Sequence, residues 1–562
     1  MKPEFKMIYL TILISAVLQT VMSGNFFIKS KLNKPTVKVQ QGRMQGIRIK
    51  NVDGSSYYYA FHGIPYAKPP VRKLRFKDPE PVEAWSGVKD AKKLGNVCAQ
   101  RNFLTQKVIS SDDCLYLNVF TTDLNLNDPK PVMLWIHGGA FAYGSGNDDR
   151  FGADYIVQKN IVLVTINYRL GIFGFLNMDS EELPGNQGLK DQVMALKWVQ
   201  QNIAKFGGNP KNVTIFGESA GSSLAHYLTL SPLAQGLFQR VILQNGVATN
   251  PWARTSGSMK EEAEKVADEL GNNVTDSKDL IEYLRNVDAQ RLINAVQSLV
   301  NQKNKYFSEN RFLPSVDSKS KNPFLNVSIL EAAKSGIKVL HIIWYNSEPA
   351  ITLLADIKDD DILEIESDEE KLLQPNTKQF LQERNVSASD VKRFFMGDKK
   401  IERDNIKQFV DLVSADKFII NIHNTLEMQS SIGDIPTYLY KFDHYSKETS
   451  VVQKLFDTDL EGTALLEEAF YLFNAKILEK RGIAKPVSYP TEQIIHQRFI
   501  ELWTNFAKTG NPNEETSELI SVEWKPVDNS SDYNCLKISE DLCTIRVSDI
   551  LHQLEEFAQK KN

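Results

Sequence analysis

The pentapeptide Gly217-Glu218-Ser219-Ala220-Gly221 follows directly on the β-branched run Asn212-Val213-Thr214-Ile215-Phe216, and Ser222–Leu230 has the composition of a helix. A Gly-x-Ser-x-Gly pattern in that setting places Ser219 on a strand–turn–helix corner. The two glycines permit close backbone approach and an unusual φ at the serine, so its hydroxyl is pushed out above a sheet edge. That is where a nucleophile would stand. The corner also constrains the whole chain, because it needs a buried strand feeding a helix.

Upstream, the apolar run Val132–Ile136 ends in His137-Gly138-Gly139-Ala140-Phe141. A glycine pair at a strand end presents backbone N–H groups unobstructed. Gly138 and Gly139, with the N–H of Ala220, are therefore the candidate oxyanion hole. His137, beside that loop, reads as a structural hydrogen-bonding residue. Apolar runs at 131–136, 161–166, 212–216, 240–244 and 338–345 have the length of buried parallel strands. Between them Leu189, Val193, Leu196, Val199 and Ile203 keep helical spacing, with polar residues on the other face. The fold class is α/β. A length of 562 residues would allow three or four domains, at about 150 residues each. One constellation, however, draws its parts from residue 138 to beyond 460, so residues 24–562 read as a single catalytic-type domain. With 42% hydrophobic and 24% charged residues and a net charge of −4, the composition gives no reason to expect nucleic-acid binding.

Further segments carry a resemblance over almost the whole length. Phe61-His62-Gly63-Ile64-Pro65-Tyr66-Ala67, Asp113-Cys114-Leu115-Tyr116-Leu117-Asn118-Val119, Asn167-Tyr168-Arg169-Leu170-Gly171 and Leu502-Trp503-Thr504-Asn505-Phe506-Ala507 resemble signatures of the type-B carboxylesterase and cholinesterase family. The resemblance implies an α/β-hydrolase fold, a large and mostly parallel sheet with helices on both faces. It implies serine esterase chemistry on carboxylic esters without metal or other cofactor.

The N-terminus carries its own signal. Lys2 and Lys6 precede the apolar stretch Met7–Met22, followed by Ser23 and Gly24. Residues 1–23 thus read as a secretory signal peptide rather than a membrane span, and the polar tail 555–562 does not suit a lipid-anchor signal. A secreted glycoprotein is expected. Asn273, Asn326, Asn385 and Asn529 stand in glycosylation sequons, while Asn212, at the start of the elbow strand, is expected to be buried. The four cysteines allow three pairings. Cys98 and Cys114 match the family's first disulfide. Cys535 and Cys543 flank a hairpin-like turn, which suggests a second, local bridge.

A serine nucleophile needs a histidine to take its proton and a carboxylate to hold that histidine. The family pattern Gly-x-x-His-x-acid-acid-x-x-Tyr aligns without a gap on Gly462-Thr463-Ala464-Leu465-Leu466-Glu467-Glu468-Ala469-Phe470-Tyr471, which puts Leu465 at the histidine position. Leucine cannot accept a proton. The family's Asn-x-x-Glu-Gly aligns on Asn346–Ala350, with the acid falling on Pro349; Glu348, one place early, is the substitute acid. Of the eight histidines, His444 is the least implausible replacement base, and the others read as packing or surface residues. The acidic stretch Asp356–Glu370 lacks calcium-loop spacing and reads as a solvated surface. The first reading is therefore a secreted esterase scaffold, a pseudoenzyme that binds a small apolar ester-like ligand or a protein partner. The alternative is an active carboxylesterase using an unrecognised base such as His444. A third is a purely structural protein.

Overall fold

The computed structural model describes residues 34–562, apart from 103–104, 256–257, 302–311, 369–370, 434, 515–516, 529–531 and 561–562. The signal-peptide segment and Asn529 lie outside the described residues. The main sheet has eleven strands: β1 (Ile47–Lys50), β2 (Tyr57–Pro65), β3 (Tyr116–Thr121), β4 (Lys130–Ile136), β5 (Val162–Ile166), β6 (Gly208–Glu218), β7 (Arg240–Gln244), β8 (Leu340–Asn346), β9 (Thr437–Phe442), β10 (Asp532–Ile538) and β11 (Cys543–Ser548). Their spatial order is β11-β10-β9-β8-β7-β6-β4-β5-β3-β2-β1. From β5 across to β10 every neighbouring pair is parallel, and antiparallel pairs close both ends. All five apolar runs became strands of this parallel stretch, as expected for strands buried on both faces.

Successive side chains of a strand point to opposite faces, and the two faces hold different cores. Leu134, Val164, Ile215, Val241 and Ile343 pack on one side, against α1 (Gln187–Asn202) and α2 (Ala220–Leu230). Met133, Trp135, Leu163, Phe216, Ile242 and Trp344 pack on the other, beneath Phe499, Trp503 and Phe506 of the helix Pro490–Thr509. Trp344 stacks on Tyr440 at 4.4 Å, and Trp503 meets both rings edge-on. A separate helical cluster around Leu354, Ile362, Val391 and Val413 forms a smaller core of its own.

Two expectations need correction. Helix α1 is buried almost all round, including Gln187, Lys190, Asp191 and Gln192, rather than presenting a polar face to solvent. Its charges are neutralised inside the protein: Asp191 by Arg169 at 2.6 Å, and Lys190 by Asp78 and Asp317 at 2.9 and 3.2 Å. The second correction concerns the cysteines. Cys98 and Cys114 are bridged, with Cα atoms 4.8 Å apart, whereas Cys535 and Cys543 are free thiols. In the β10–β11 register Cys535 faces Ile545 and Cys543 faces Lys537, so the two cysteines are diagonal neighbours. Diagonal Cα atoms lie about 7–8 Å apart, beyond the usual reach of a disulfide.

Candidate functional site

The C-terminal edge of the parallel strands is where α/β sheets collect ligands, and both glycine motifs meet there. Strand β6 ends at Glu218, and Ser219 turns the chain into α2 with φ 56° and ψ −123°. This strained geometry is held from both sides: Ser219 N–H donates to Gln244 O at 2.8 Å, and Ser223 N–H donates to Ser219 O at 3.0 Å. A Cβ on Gly221 would lie 2.1 Å from Ile136 O, so only glycine lets α2 start this close to β4. Ala220, the first residue of α2, has one of the N–H groups that a helix leaves without an internal partner.

Beyond β4 the chain enters the second glycine motif. Gly138 packs against the elbow, its Cβ position 3.3 Å from Ser219 Cβ. Gly139 takes φ +111°, and a Cβ there would lie 2.0 Å from Tyr143 O. Positive φ continues through Ala140 and Phe141. Gly138, Gly139 and Ser219 line a single cavity of about 120 Å³. Its remaining wall is mostly apolar, with Phe151, Phe456, Leu465, Leu466 and Phe470 contributing. Leu465 thus shares the cavity with Ser219, as expected from the gapless alignment. Leu466 beside it has φ 82°, a conformation that a leucine adopts only when its surroundings hold it there.

The acid candidate is engaged elsewhere. Glu348 Oε2 accepts from Thr463 N–H at 2.9 Å and Oε1 faces Lys407 at 3.4 Å. It braces the segment leading to Leu465 and does not line the cavity. Pro349 is buried in the same turn, and Thr352, three residues on, donates its hydroxyl to Leu465 O at 2.8 Å.

The histidines take structural partners. His444, the alternative base, sits 3.3 Å from Glu492 and is not among the residues lining the cavity. His137 does line it, but its Nδ1–H donates to Gly138 O at 2.8 Å and its ring stacks on Tyr168. Burial pushes His137 down to about 4, so it is neutral at physiological pH. His226 accepts from Ala248 N–H, His341 bonds Val339 O and Thr437, His423 accepts from Ile550 N–H, and His496 donates to Tyr471 O. His62 packs edge-on against Phe120, and His552 pairs with Glu556 on the surface.

Sequence reasoning missed a buried carboxyl pair, although both members stood inside the quoted motifs. Glu218 and Glu468 are 4% and 0% exposed. Glu468 accepts from Asn346 Nδ2 at 2.9 Å, while Oε1 of each carboxyl has no hydrogen-bond partner among the described residues. Burial, with the charge of Glu468 added, holds Glu218 well above the usual carboxylate range, and burial pushes Glu468 up to about 8. Glu467 is also buried, but it caps the helix Val451–Phe456 through Val451 and Val452 N–H. A carboxyl raised on folding stabilises the fold below its unfolded value near 4.5, and that stability is lost as pH rises towards the folded value. The melting temperature should therefore fall between about pH 5 and pH 8, and Glu468→Gln should flatten that fall. Thermal unfolding at stepped pH is the check, and an unchanged slope would remove the pair as its source.

Of the sequons, Asn273, Asn326 and Asn385 are exposed. Asn212 is half-buried rather than buried, and its side chain is tied up by Lys508 O and by Arg240. The acidic stretch became largely the helix Asp359–Glu366, with Asp359 paired to Arg403 and Glu366 to Lys392. Among the described residues no group of side chains could hold a metal ion, and no helix is long and apolar enough to cross a membrane.

Comparison with known proteins agrees with this architecture. The model of the carboxylesterase family matches residues 33–557. A juvenile hormone esterase of Tribolium castaneum is 34% identical over 506 residues, covering 85% of this chain and 84% of that protein. A carboxylic ester hydrolase of Bombus ignitus is 32% identical over 90% of both chains. The crystal structure of juvenile hormone esterase from Manduca sexta, with OTFP covalently attached, superposes with a TM-score of 0.80 at 26% identity, over 94% of this chain and 99% of that one. With the elbow, the glycine loop and the parallel sheet in place, the chain belongs to the carboxylesterase family.

Proposed function

We propose that this protein is a secreted member of the family that keeps Ser219 and its oxyanion-type donors but has lost ester hydrolysis, and that it binds a small apolar ligand in the former catalytic cavity. The observation that carries the reading is Leu465, which stands in the wall beside Ser219 at the family's histidine position. His137, the histidine that lines the cavity, has its Nδ1–H on Gly138 O. Pro349 at the acid position, and a Glu348 committed to Thr463 and Lys407, agree with it. The apolar wall favours retained binding of a small ligand over a purely structural role. Secretion is supported by the N-terminal segment, by the Cys98–Cys114 bridge and by the exposed sequons at 273, 326 and 385.

Losing the base of a serine triad removes about 10⁴–10⁶ of the rate, and a residual of about 10³–10⁴ over water remains from the other parts. Purified protein should hydrolyse p-nitrophenyl butyrate barely above background, and Ser219→Ala should change that little. Turnover at ordinary esterase rates that Ser219→Ala abolishes would establish the alternative, an active carboxylesterase. His444→Ala would then show whether that histidine is the base.

A further inference from the structure

The polar groups facing the cavity have an unusual bias. Arg150, in the loop between β4 and β5, lines it among mostly apolar residues. Its positive charge reaches His137 and Tyr143, whose side chains also line the cavity. Among the described residues no carboxylate pairs with the Arg150 guanidinium: its neighbour Asp148 is paired with Lys476. Glu218 Oε2 lies against Gly138, 2.7 Å from where a Cβ there would stand, and burial holds this carboxyl well above the usual carboxylate range. Ser219 adds a hydroxyl, and Gly138 and Gly139 of the glycine loop line the same cavity. With leucine where the family has imidazole, this end of the cavity offers a cation and proton donors. His137 Nε2, an acceptor in that wall, is buried away from solvent.

An ester carbonyl accepts from these donors as a neutral group, whereas a carboxylate also neutralises the guanidinium charge, and hydrogen bonds between charged groups are the stronger kind. We propose that the cavity is a receptor for a medium-chain aliphatic carboxylate, with the chain among Phe151, Phe456, Leu465 and Phe470 and the carboxylate on Arg150, Ser219 and the glycine-loop donors. The inference rests on the reading that hydrolysis is lost, and it adds that the acid is bound in preference to the ester.

The test is calorimetric titration of the full chain with decanoate, methyl decanoate and decylamine, with ester turnover followed in parallel. Decanoate should bind at least about tenfold more tightly than its methyl ester, the factor expected of a hydrogen bond to a charged group, and decylamine should bind weakest. Arg150→Gln should abolish the preference of decanoate over its methyl ester, while Arg150→Lys should keep most of it. A circular dichroism spectrum and a cooperative thermal unfolding transition like those of wild type show that the Arg150→Gln variant is folded. Equal binding of acid and ester, or a preference that survives Arg150→Gln, would overturn the proposal while leaving a non-hydrolytic binding protein intact. Turnover of the ester would instead sink the reading of lost hydrolysis.

Discussion

Leu465→His combined with Pro349→Glu should raise turnover of p-nitrophenyl butyrate by about 10²–10⁴-fold over wild type, the usual contribution of a positioned general base. Leu465 already shares the cavity wall with Ser219, so an imidazole there would face the same cavity as the serine hydroxyl. The loop that would carry the acid is also in place, because Thr352 holds Leu465 O and Glu348 holds Thr463 N–H. The single change Leu465→His should give a smaller gain, since nothing would fix the tautomer and orientation of the ring. Pro349→Glu alone should give none, because it has no imidazole to orient and adds a carboxyl to a buried turn. Kinetics of the four proteins under identical conditions give the comparison. Additive, equally small effects would mean that the loop does not bring residue 349 to residue 465.

The largest stability effect should come from Asp191→Ala, at about 3–5 kcal/mol, the cost of leaving one member of a buried ion pair alone. Arg169 and Asp191 are 3% and 0% exposed. Asp191 accepts from Arg169 Nε at 2.8 Å, from Nη2 at 2.6 Å and from its backbone N–H at 3.0 Å. Without the carboxylate, the Arg169 guanidinium keeps, among the described residues, the bond from Nη1 to Lys77 O. The pair also fixes the segment after β5 against α1, immediately under the glycine loop, where Gly171 N–H donates to Phe141 O at 2.7 Å. Urea unfolding should show the loss. The double replacement Arg169→Met with Asp191→Leu should be less damaging than Asp191→Ala, because it removes both charges together. A loss below about 1 kcal/mol would place the pair in the range of exposed ion pairs.

The strand framework was legible because a parallel strand buried on both faces must be predominantly apolar, and 131–136, 161–166, 212–216, 240–244 and 338–345 are, with polar residues such as Asn212, Arg240 and Lys338 at their starts. The elbow was legible for a local reason too: Gly221 is dictated by an approach that no Cβ survives. Other features depended on partners distant in sequence. The polar positions of α1 look solvent-facing until Arg169, Asp78 and Asp317 arrive to neutralise them. The Cys535–Cys543 bridge failed on strand register, which spacing alone does not determine. Arg150 stands in an irregular loop without periodicity, and only the folded chain brings it to the same cavity as Leu465. Glu218 and Glu468 were visible as letters, but their pairing required two segments 250 positions apart to meet under the elbow.

The most direct measurement of whether Ser219 is activated is intact-mass labelling with an excess of a fluorophosphonate probe, which reports on the serine itself and not on any chosen substrate. A serine without a base to take its proton reacts slowly. Wild-type protein should remain essentially unlabelled over a period in which the Leu465→His, Pro349→Glu variant is modified at Ser219. Rapid stoichiometric labelling of wild type, lost in Ser219→Ala, would contradict the account and show that the protein has an active nucleophile.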